Sequence, residues 1–592
     1  MVTRRAELGQ WNTAAPVAQL AIAALGGISR HARVIDPTCG DGAFLAAALA
    51  AGARHLVGVE IDPDAAALAR VRLGTSDIGD GRVVDGREID AREIDARVEI
   101  IESDVLAPKL IDRLGLFDVA IGNPPYVRAG RVDPVIKRER ARVLAADWPE
   151  LDPGVIDALA RHADFAATCL LRTLRFVRPG GQIALVVSTA LLDADAASAL
   201  WTAVARVASV EALIAAPAER WFADAAVNPM LLVARRHVAR AITSKKISAK
   251  SNKSADRAWG ATGDIASSPR ILRLTMPTRD LASHATTLDD IARASEDRLA
   301  PDAAQWGSTL RAPSVWFAWR EKAQAHLVPL RELCDVRRGL TTGANDVFYV
   351  RRDEAKRLRL EPRFLAPVVR SPFNGAPAPI AIAPEESPLV AIAVPPDAKL
   401  AKAPRIQAWF ERHRTAAMQT SAARRDPWWS LPTNPARLFF AKAYGPRFVQ
   451  RLADLPMLAD QRVYALHPHA GVDLVALAAV LNALPTALAL ESLGRGSMGY
   501  GAVEWTVHDA LELPVLDVRR ADARAIAELH AALAAIARRP VAHVRLERDD
   551  GARARLDRVV LALAPGGELI DAMWDGLCAS VAQRDRYLLP AV

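Results

Sequence analysis

Short apolar runs alternate with glycine turns and helical stretches through the first 236 residues of the chain. The run that ends at Asp36 leads through a turn with two glycines into an alanine-rich stretch and then into "HLVGVEID". This is the spacing of a strand–helix–strand unit whose two strands lie parallel in one sheet. Further strands are predicted at "RVEIIESDVL", "FDVAIGNPPY", "PGGQIALVVST" and "NPMLLVARR", and a helix at "ADFAATCLLRTLRFV". The pattern predicts an α/β fold with a doubly wound domain over residues 1–239.

The pattern changes twice after this domain. Residues 240–257 carry six basic residues against the single Asp256 and show no apolar period, so residues 240–309 are interpreted as a basic linker and connecting segment. From residue 310 onwards tryptophan and proline are more frequent and the predicted strands are shorter. Residues 310–592 are therefore predicted to form a second, mixed α+β domain, whose last part is helical by the spacing of its apolar residues.

Composition narrows the class of protein. The chain has 592 residues, of which 51% are apolar, yet its longest apolar stretches fall short of the roughly 20 residues that cross a bilayer. We therefore expect a soluble protein with no membrane partner, and the first residues lack the apolar core of a signal peptide. The four cysteines lie far apart with no CxxC pair, which favours a reducing cytoplasm and no metal site. The net charge of +8 has the sign expected for a nucleic-acid partner, although many soluble proteins are mildly basic.

Acidic residues stand at the ends of three successive predicted strands. "DPTCGDG" places Asp36 at the first strand end, and Gly40 and Gly42 let the backbone approach a ligand where the next helix begins. Glu60 ends the second strand, where an acidic residue of a doubly wound fold binds the ribose hydroxyls of an adenosine, and Asp104 follows the third within reach of an adenine amino group. Dinucleotide, mononucleotide and S-adenosylmethionine folds all use such a glycine turn, and each acid alone could be a helix cap. Together they predict a ligand crevice.

The fourth strand ends in Asn123-Pro124-Pro125-Tyr126. Each proline fixes its own φ and pushes the preceding residue into an extended conformation, so Asn123 is presented rigidly at the mouth of the crevice. The Asn123 side-chain oxygen and the Pro124 carbonyl can both accept hydrogen bonds from one NH2 group, which favours a pyramidal nitrogen aimed at a methyl donor. Tyr126 offers a face on which a planar base can stack. The alternative is an ordinary loop corner.

"DPTCGDGAF", "VEID", "ESDVL" and "GNPPYV", in this order and spacing, resemble the N6-adenine DNA methyltransferases of restriction-modification systems, in the branch where the cofactor motif precedes the NPPY motif. The resemblance implies a Rossmann-like, S-adenosylmethionine-dependent catalytic domain followed by a target-recognition domain. Upstream, "GQWNTAAPVAQLAIAAL" is similar to the family's N-terminal cofactor segment, although Thr13 precedes Ala-Ala-Pro where the family usually reads Thr-Pro. Downstream, the resemblance places Asp164 and Phe165 near the cofactor.

Pattern and resemblance together assign two groups of site residues. The predicted catalytic residues are Asn123, Pro124, Pro125, Tyr126 and Phe222. The predicted S-adenosylmethionine-binding residues are Thr13, Asp36, Pro37, Cys39, Gly40, Gly42, Glu60, Ile61, Asp104 and Asn123. Phe222 is included because "ERWFADAAVNPMLLVARR" looks like the segment whose aromatic side chain packs on a flipped adenine. Trp221 beside it is an alternative for that role, and core packing is an alternative for both.

The second half resembles the target-recognition domain of the same family. "CDVRRGLTTGANDVFYV", "FLAPVVRSP" and "GRGSMGYGAVEWTVHDALELPV" match its landmarks in order. An adenine amino group in a duplex is accessible only when the nucleotide rotates out of the stack. A second domain must therefore bind the double-stranded DNA around the position that the flipped nucleotide leaves. Arg337, Arg338 and Lys442 are candidates for contacting DNA there, with surface ion pairing as the alternative for each.

Three alternatives are open at this point. The NPPY motif also occurs in enzymes that methylate a glutamine amide of release factors and in some ribosomal RNA guanine methyltransferases, but those proteins usually lack a large domain after the catalytic one. Fused enzymes that also cut DNA generally carry a nuclease domain ahead of the methyltransferase, and about ten residues precede the first motif here. A catalytically silent DNA-binding subunit would not need intact motifs. We therefore expect an adenine-N6 DNA methyltransferase that is monomeric on DNA and works alone or beside a separately encoded restriction endonuclease.

Overall fold

The computed structural model of the protein describes residues 13–75, 96–126, 134–193, 197–216, 219–222, 228–238, 268–300, 306–370, 377–496 and 501–585. These residues fall into two compact units. The first unit extends to Leu310, and the second begins at Arg311.

The first unit alternates strands and helices along the chain. Its strands are β1 (Arg33–Asp36), β2 (His55–Glu60), β3 (Arg97–Glu102), β4 (Phe117–Gly122), β5 (Val177–Ser188), β6 (Ala208–Ala215), β7 (Pro229–Arg236), β8 (Arg270–Leu274) and β9 (Ser295–Leu299). Its helices are α1 (Ala15–Ala24), α2 (Ala43–Ala50), α3 (Pro63–Arg72), α4 (Leu110–Leu114), α5 (Pro134–Asp147), α6 (Pro153–His162), α7 (Phe165–Phe176), α8 (Ala197–Val207), α9 (Thr278–Ala282) and α10 (Leu288–Arg293), and α11 (Trp306–Arg311) reaches the boundary.

The strands of this unit form one sheet in the order β3-β2-β1-β4-β5-β7-β6-β8-β9. Strands β3, β2, β1, β4 and β5 are parallel to one another, whereas β7 is antiparallel to both β5 and β6. The central strands are apolar on both faces because helices cover both sides of the sheet, and Val34, Ile35, Ala120 and Ile121 are fully buried. The chain order turns back at β1, beside β4, so a crevice opens at the carboxyl ends of these two strands. The predicted doubly wound α/β fold is confirmed.

The sheet extends beyond the predicted end of the first domain at residue 239. Residues 240–309 were predicted to be a linker and connecting segment, but β8 pairs with β6 in parallel and β9 pairs with β8. The apolar side chains of Ile271 and Leu272 in β8 are fully buried, which explains why this stretch joins the sheet. The basic stretch 240–257 lies outside the described residues.

The second unit is of mixed α+β type. Its strands are β10 (Leu327–Pro329), β11 (Cys334–Arg338), β12 (Tyr349–Arg351), β13 (Leu365–Val369), β14 (Ala381–Ile382), β15 (Leu389–Ile392), β16 (Ala436–Ala441), β17 (Ala443–Tyr444), β18 (Arg451–Ala459), β19 (Val463–Pro468), β20 (Arg495–Gly496), β21 (Val503–Glu504) and β22 (Pro514–Leu516). Its helices are α12 (Ser314–Ala323), α13 (Asn345–Phe348), α14 (Arg352–Arg357), α15 (Pro404–Met418), α16 (Leu474–Leu481), α17 (Leu484–Leu493), α18 (Val507–Leu511), α19 (Ala523–Ala537), α20 (Val544–Glu547), α21 (Gly551–Leu561) and α22 (Ile570–Asp585).

The main sheet of the second unit runs in the order β11-β19-β16-β18-β13-β15-β12, with β14 paired to β18. One core joins this sheet to the helices near the C-terminus, and its largest fully buried side chains include Trp316, Trp319 and Tyr444. The helical last part that the apolar spacing predicted is present as α19, α21 and α22. Within the described part of the chain, no single helix meets the length and hydropathy needed to cross a membrane, whereas α16 and α17, bent by 59° at their junction, meet both as a pair.

Candidate functional site

The carboxyl ends of β1, β2, β3 and β4 meet at one edge of the first sheet. β1 lies between β2 and β4, with Asp36 opposite Gly58 and Ile35 opposite Ala120. On the other side of β2, Glu60 is opposite Glu102, the last residue of β3. The polar residues predicted at the strand ends are therefore brought to a common edge, as a parallel sheet requires.

The glycine turn after β1 has the backbone that its sequence predicts. Gly40 and Gly42 have φ values of 54° and 81°, in the left-handed region that glycine adopts without strain. A Cβ atom at Gly42 would lie 3.2 Å from Cβ of Ala69 on α3, so this glycine permits close packing of the turn on a helix. A Cβ atom at Gly40 would have no other atom within 4 Å, so the turn leaves open space at this point.

Asp36 and Glu60 form a buried pair of carboxylates beside this turn. They are 1% and 4% exposed. Burial raises the pKa of Asp36 well above its usual value, and the Glu60 and Asp41 carboxylates raise it further. Burial also raises the pKa of Glu60, although the backbone N–H groups of Asp62 and Gly40 donate to its two oxygens at 2.9 Å and 2.8 Å. Burial therefore disfavours the ionised form of both carboxyl groups, and a cation bound beside them would favour that form.

The other predicted cofactor residues differ in exposure. Pro37 and Cys39 are buried under the turn, where burial raises the pKa of the Cys39 thiol, so they shape the turn and do not present side chains to a ligand. Ile61, directly after Glu60, is 56% exposed, which is unusual for an isoleucine at the end of a core strand. Asp104 is exposed as well, and its Oδ1 accepts a hydrogen bond from the Leu106 N–H at 2.8 Å.

Asn123 is held from three sides at the end of β4. Gly122 before it has a φ of 151°, and a Cβ atom there would lie 2.4 Å from Oδ1 of Asp36, so the Asp36 carboxylate packs directly against this backbone. The Asn123 Nδ2 donates to Oγ1 of Thr13 at 3.2 Å. The Tyr126 hydroxyl donates to Oδ1 of Asn123 at 2.6 Å. The structure thus joins Thr13, Asp36 and Asn123, which lie far apart in sequence, in one site.

The Tyr126 hydroxyl contact could not be read from the sequence, which predicts only a stacking face. The hydroxyl also lies 3.2 Å from the Val186 carbonyl oxygen on β5. Burial raises the pKa of this hydroxyl, so it stays protonated and remains a donor. Pro124 is buried, while Pro125 and Tyr126 are half-buried. Stacking of a base on Tyr126 stays a prediction.

Phe222 and Trp221 occupy different environments. The Phe222 ring meets the Tyr126 ring edge-on, with centroids 6.2 Å apart. The Trp221 Nε1 donates to Oγ1 of Thr278, the first residue of α9, at 2.8 Å. Phe222 is thus the one that contacts the Asn-Pro-Pro-Tyr segment. Both side chains are buried in the first unit, so both pack in its core, as the alternative interpretation predicts.

The residues at the start of α7 reveal a charged side chain that the sequence did not single out. Asp164 is the N-cap of α7, and Phe165 is its first residue. The guanidinium carbon of Arg140, on α5, lies 4.6 Å from the centroid of the Phe165 ring. Arg140 is 2% exposed. The only sequence signal for it is the period of α5, which puts Arg140 on the same face as the buried Val143 and Leu144.

The three basic residues predicted to contact DNA lie in the second unit. Arg337 and Arg338 end β11 and are exposed, and the Arg337 guanidinium lies 3.3 Å from the Asp335 carboxylate. Lys442 is exposed between β16 and β17, where its backbone N–H donates to the Arg462 carbonyl. Arg337 therefore has the surface ion pair that was the alternative to a DNA contact. In the described residues, no group of three or more His, Cys, Asp or Glu side chains is arranged to hold a metal ion.

Three features together define the Rossmann-like methyltransferase class. They are a sheet with a reversed β7 between β5 and β6, an acidic crevice at the ends of β1 and β2, and an Asn-Pro-Pro-Tyr segment after β4. Residues 2–256 match the family model described as "N-6 DNA Methylase". The predicted resemblance to these methyltransferases is confirmed over these residues.

Two solved structures are similar along nearly the whole chain. The type IIL restriction-modification enzyme MmeI, solved in complex with DNA, has a TM-score of 0.52 at 12% identity, over 96% of this chain and 75% of the MmeI chain. The type IIG restriction endonuclease BpuSI has a TM-score of 0.46 at 14% identity, over 97% of this chain and 65% of the BpuSI chain. This chain thus spans about two thirds to three quarters of the length of these proteins. At such identity, the MmeI match supports a shared fold.

Proposed function

We propose that the protein transfers a methyl group from S-adenosylmethionine to the N6 amino group of a flipped-out adenine in double-stranded DNA. It would act as a site-specific modification enzyme of a restriction-modification or related defence system, in the cytoplasm, as a monomer on DNA. A separately encoded restriction endonuclease is a proposed partner.

The placement of Asn123 carries this proposal. The Asn123 amide is fixed by Thr13 and Tyr126 within the crevice that Asp36 lines. Its Nδ2 donates to Thr13 and its Oδ1 accepts from the Tyr126 hydroxyl, so Oδ1 is the side-chain atom that would accept a hydrogen bond from a substrate N–H. With the Pro124 carbonyl as a second acceptor, the site can grip an NH2 group and orient the nitrogen lone pair. This assistance is positioning and electrostatics, because the lone pair of an exocyclic amine is delocalised into its ring.

The crevice fits S-adenosylmethionine by charge and shape. Its sulfonium supplies the methyl group, and its two positive charges complement the buried Asp36 and Glu60 carboxylates. The open turn at Gly40 admits the ligand close to the backbone. The exposed Ile61 offers an apolar surface for the adenine ring, and Asp104 offers an acceptor for its amino group.

A pair of variants tests the proposal at the site. Asn123→Ala should lower methyl transfer to duplex DNA by at least about a hundredfold, the cost of one well-placed transition-state contact, while the variant still binds S-adenosylhomocysteine. Glu60→Gln should instead raise the Kd for S-adenosylhomocysteine about tenfold or more, because a hydrogen-bonded charge is lost. The first is measured with radiolabelled cofactor and the second by calorimetry. An Asn123→Ala protein with wild-type activity would contradict the acceptor role.

The substrate is tested in cells and in vitro. Sequencing that detects modified adenines, applied to DNA from cells expressing the protein, should show N6-methyladenine at one recurring site. In the assay, a release factor and ribosomal RNA serve as competing substrates, because both present planar NH2 groups. Methylation of either of these and not of DNA would overturn the proposed substrate while leaving the methyl-transfer chemistry intact.

A further inference from the structure

Arg140 is a buried cation on a helix face where an apolar side chain is expected. On α5, residues Arg140, Val143, Leu144 and Asp147 recur at the three- and four-residue spacing of the face that packs against the unit. Arg140 is 2% exposed, and burial lowers the pKa of its guanidinium because the charged form is disfavoured away from water. Burial of an unpaired charge is strongly destabilising, so such a residue needs a reason other than packing.

The neighbouring buried arginine shows what a structural role would look like. Arg172, on α7, is 3% exposed and is fully bonded: its guanidinium pairs with Asp147 and donates to the carbonyl oxygens of Val105 at 3.1 Å and Ala107 at 3.0 Å. By contrast, the Nε and Nη1 atoms of Arg140 have no hydrogen-bond partner among the described residues. In the part of the chain that the structure describes, the fold therefore gives every guanidinium nitrogen of Arg172 a hydrogen-bond partner and leaves two guanidinium nitrogens of Arg140 without one.

The surroundings of Arg140 are those of the proposed cofactor pocket. Its guanidinium lies 4.6 Å from the centroid of the Phe165 ring, within the range of a cation–π contact. After burial, the groups that act on the pKa of the Arg140 guanidinium are, from the largest effect to the smallest, Cys169, Asp164 and Asp104, and all three raise it. Asp104 follows β3 at the edge where β2 ends in Glu60, and its Oδ1 is already occupied by the Leu106 N–H. Arg140 thus contacts an aromatic wall and influences the acidic acceptor at the same time.

We propose that Arg140 is a positioning residue of the cofactor pocket, which holds the Phe165 ring and the Asp104 carboxylate in the geometry that receives the adenine of S-adenosylmethionine. This inference rests on the proposed function, because it takes the crevice to be the cofactor site. Arg140 acts through its two neighbours and is not itself a catalytic residue.

Arg140→Leu separates this role from a structural one. Leucine suits the apolar face of α5 and removes an unpaired charge, so the unliganded variant should unfold at the wild-type temperature or above it. The Kd for S-adenosylhomocysteine should nevertheless rise about tenfold, the effect of losing about 1.4 kcal/mol. Arg142→Leu is the matched control, because Arg142 lies on the same helix, is 61% exposed in its side chain and pairs only with Glu139 at the surface among the described residues. It should leave the Kd unchanged.

A double-mutant cycle tests the route through Asp104. If Arg140 acts on the adenine through the Asp104 carboxylate, the two substitutions should not have independent effects. The fold-increase in the Kd for S-adenosylhomocysteine in the double variant Arg140→Leu/Asp104→Asn should then be smaller than the product of the fold-increases in the two single variants. Effects that multiply, or a wild-type Kd in Arg140→Leu, would overturn the inference. If Arg140→Leu does not fold, Arg140→Lys decides, since it keeps the charge but not the planar contact with Phe165 and should still raise the Kd. A wild-type Kd in Arg140→Lys would then refute the role.

The outcome is distinguishable from a failure of the proposed function. All these measurements use S-adenosylhomocysteine and the full chain without DNA. If the wild-type protein does not bind this ligand, the proposed cofactor site is wrong, and the inference falls with it. If the wild type binds it but methylates no adenine, the proposed reaction is wrong, while the role of Arg140 is still judged by the Kd of its variants.

Discussion

The buried Asp36 carboxylate lowers the free energy of unfolding, and it is also a residue proposed to bind the cofactor. Its carboxylate is buried against the Gly122 backbone and near Glu60, so its pKa is raised in the folded protein. The folded state then binds a proton more tightly than the unfolded chain. The free energy of unfolding therefore falls as pH rises from the ordinary carboxyl pKa through the raised one, and this loss is complete above the raised pKa. Residues at functional sites commonly show such a conflict.

Asp36→Asn should remove this pH dependence. The amide keeps an acceptor for the Thr38 N–H but carries no charge, so the unliganded first unit should become more stable at pH values above the ordinary carboxyl pKa. Binding of S-adenosylmethionine should weaken, because its positive charges lose a partner. Denaturant unfolding at several pH values and calorimetry measure the two effects. Asp112→Asn, at an exposed position of α4, is the control and should change neither.

At the scale of elements, the end of β4 depends on a glycine. Gly122 has a φ of 151°, and a Cβ atom there would lie 2.4 Å from Oδ1 and 3.0 Å from Cγ of Asp36. The strand can present Asn123 beside Asp36 only because residue 122 has no side chain. The two strand ends therefore constrain each other, and neither constraint is visible in β1 or β4 alone.

Gly122→Ala should displace the Asp36 carboxylate and lower both the stability of the first unit and cofactor binding. Gly52→Ala is the matched control, because Gly52 also has a positive φ, of 103°, but a Cβ atom there has no neighbour within 4 Å. The control should lose about 1 kcal/mol from backbone strain and bind the cofactor normally. Thermal unfolding and calorimetry compare the two variants. Equal losses in both would show that the contact with Asp36 has no effect.

The elements differ in how far the sequence predicts them. β1 to β5 and β7 are apolar runs bounded by glycine, proline or polar residues, and the pattern places each of them. β6, β8 and β9 were not predicted. β8 follows a basic stretch and carries Arg270 and Arg273 between its apolar residues, and β9 reads "SEDRL", so neither looks like a core strand by composition. They join the sheet because β6 offers an open edge for pairing.

At the scale of the whole molecule, the second unit has its own buried polar anchor. Asp557 on α21 is fully buried, and its Oδ1 accepts hydrogen bonds from the Leu484 N–H at 2.8 Å and the Arg553 Nε at 3.1 Å. Arg553 is itself 3% exposed. This carboxylate thus fixes the start of α17 and neutralises a buried cation.

Asp557→Ala should lower the stability of the second unit by about 3–5 kcal/mol, because it leaves Arg553 buried without this partner. The groups proposed to hold the cofactor all belong to the first unit, so the Kd for S-adenosylhomocysteine should not change. DNA binding, proposed for the second unit, should weaken at temperatures where that unit unfolds. Scanning calorimetry, ligand calorimetry and DNA retention assays measure the three effects. Asp571→Ala, exposed on α22, is the control, and an equal loss of stability there would refute the anchor role.

The sequence by itself determined the α/β class, the order of the motifs and the identity of the residues at the strand ends. Local spacing suffices for these, because a parallel strand followed by a helix returns each carboxyl end to the same edge of the sheet. The sequence alone therefore assigns Asp36, Glu60, Asp104 and Asn123 to one crevice. The helical last part of the chain followed from its apolar period in the same way.

Only the tertiary structure decided how these residues act on one another. The contact of Asp36 with Gly122, the bonds from Thr13 and Tyr126 to Asn123, and the burial of Arg140 against Phe165 all join side chains from elements that are distant in sequence. A single chain carries no local signal for such contacts, because they depend on how helices and strands pack and on which donors are left without partners after packing.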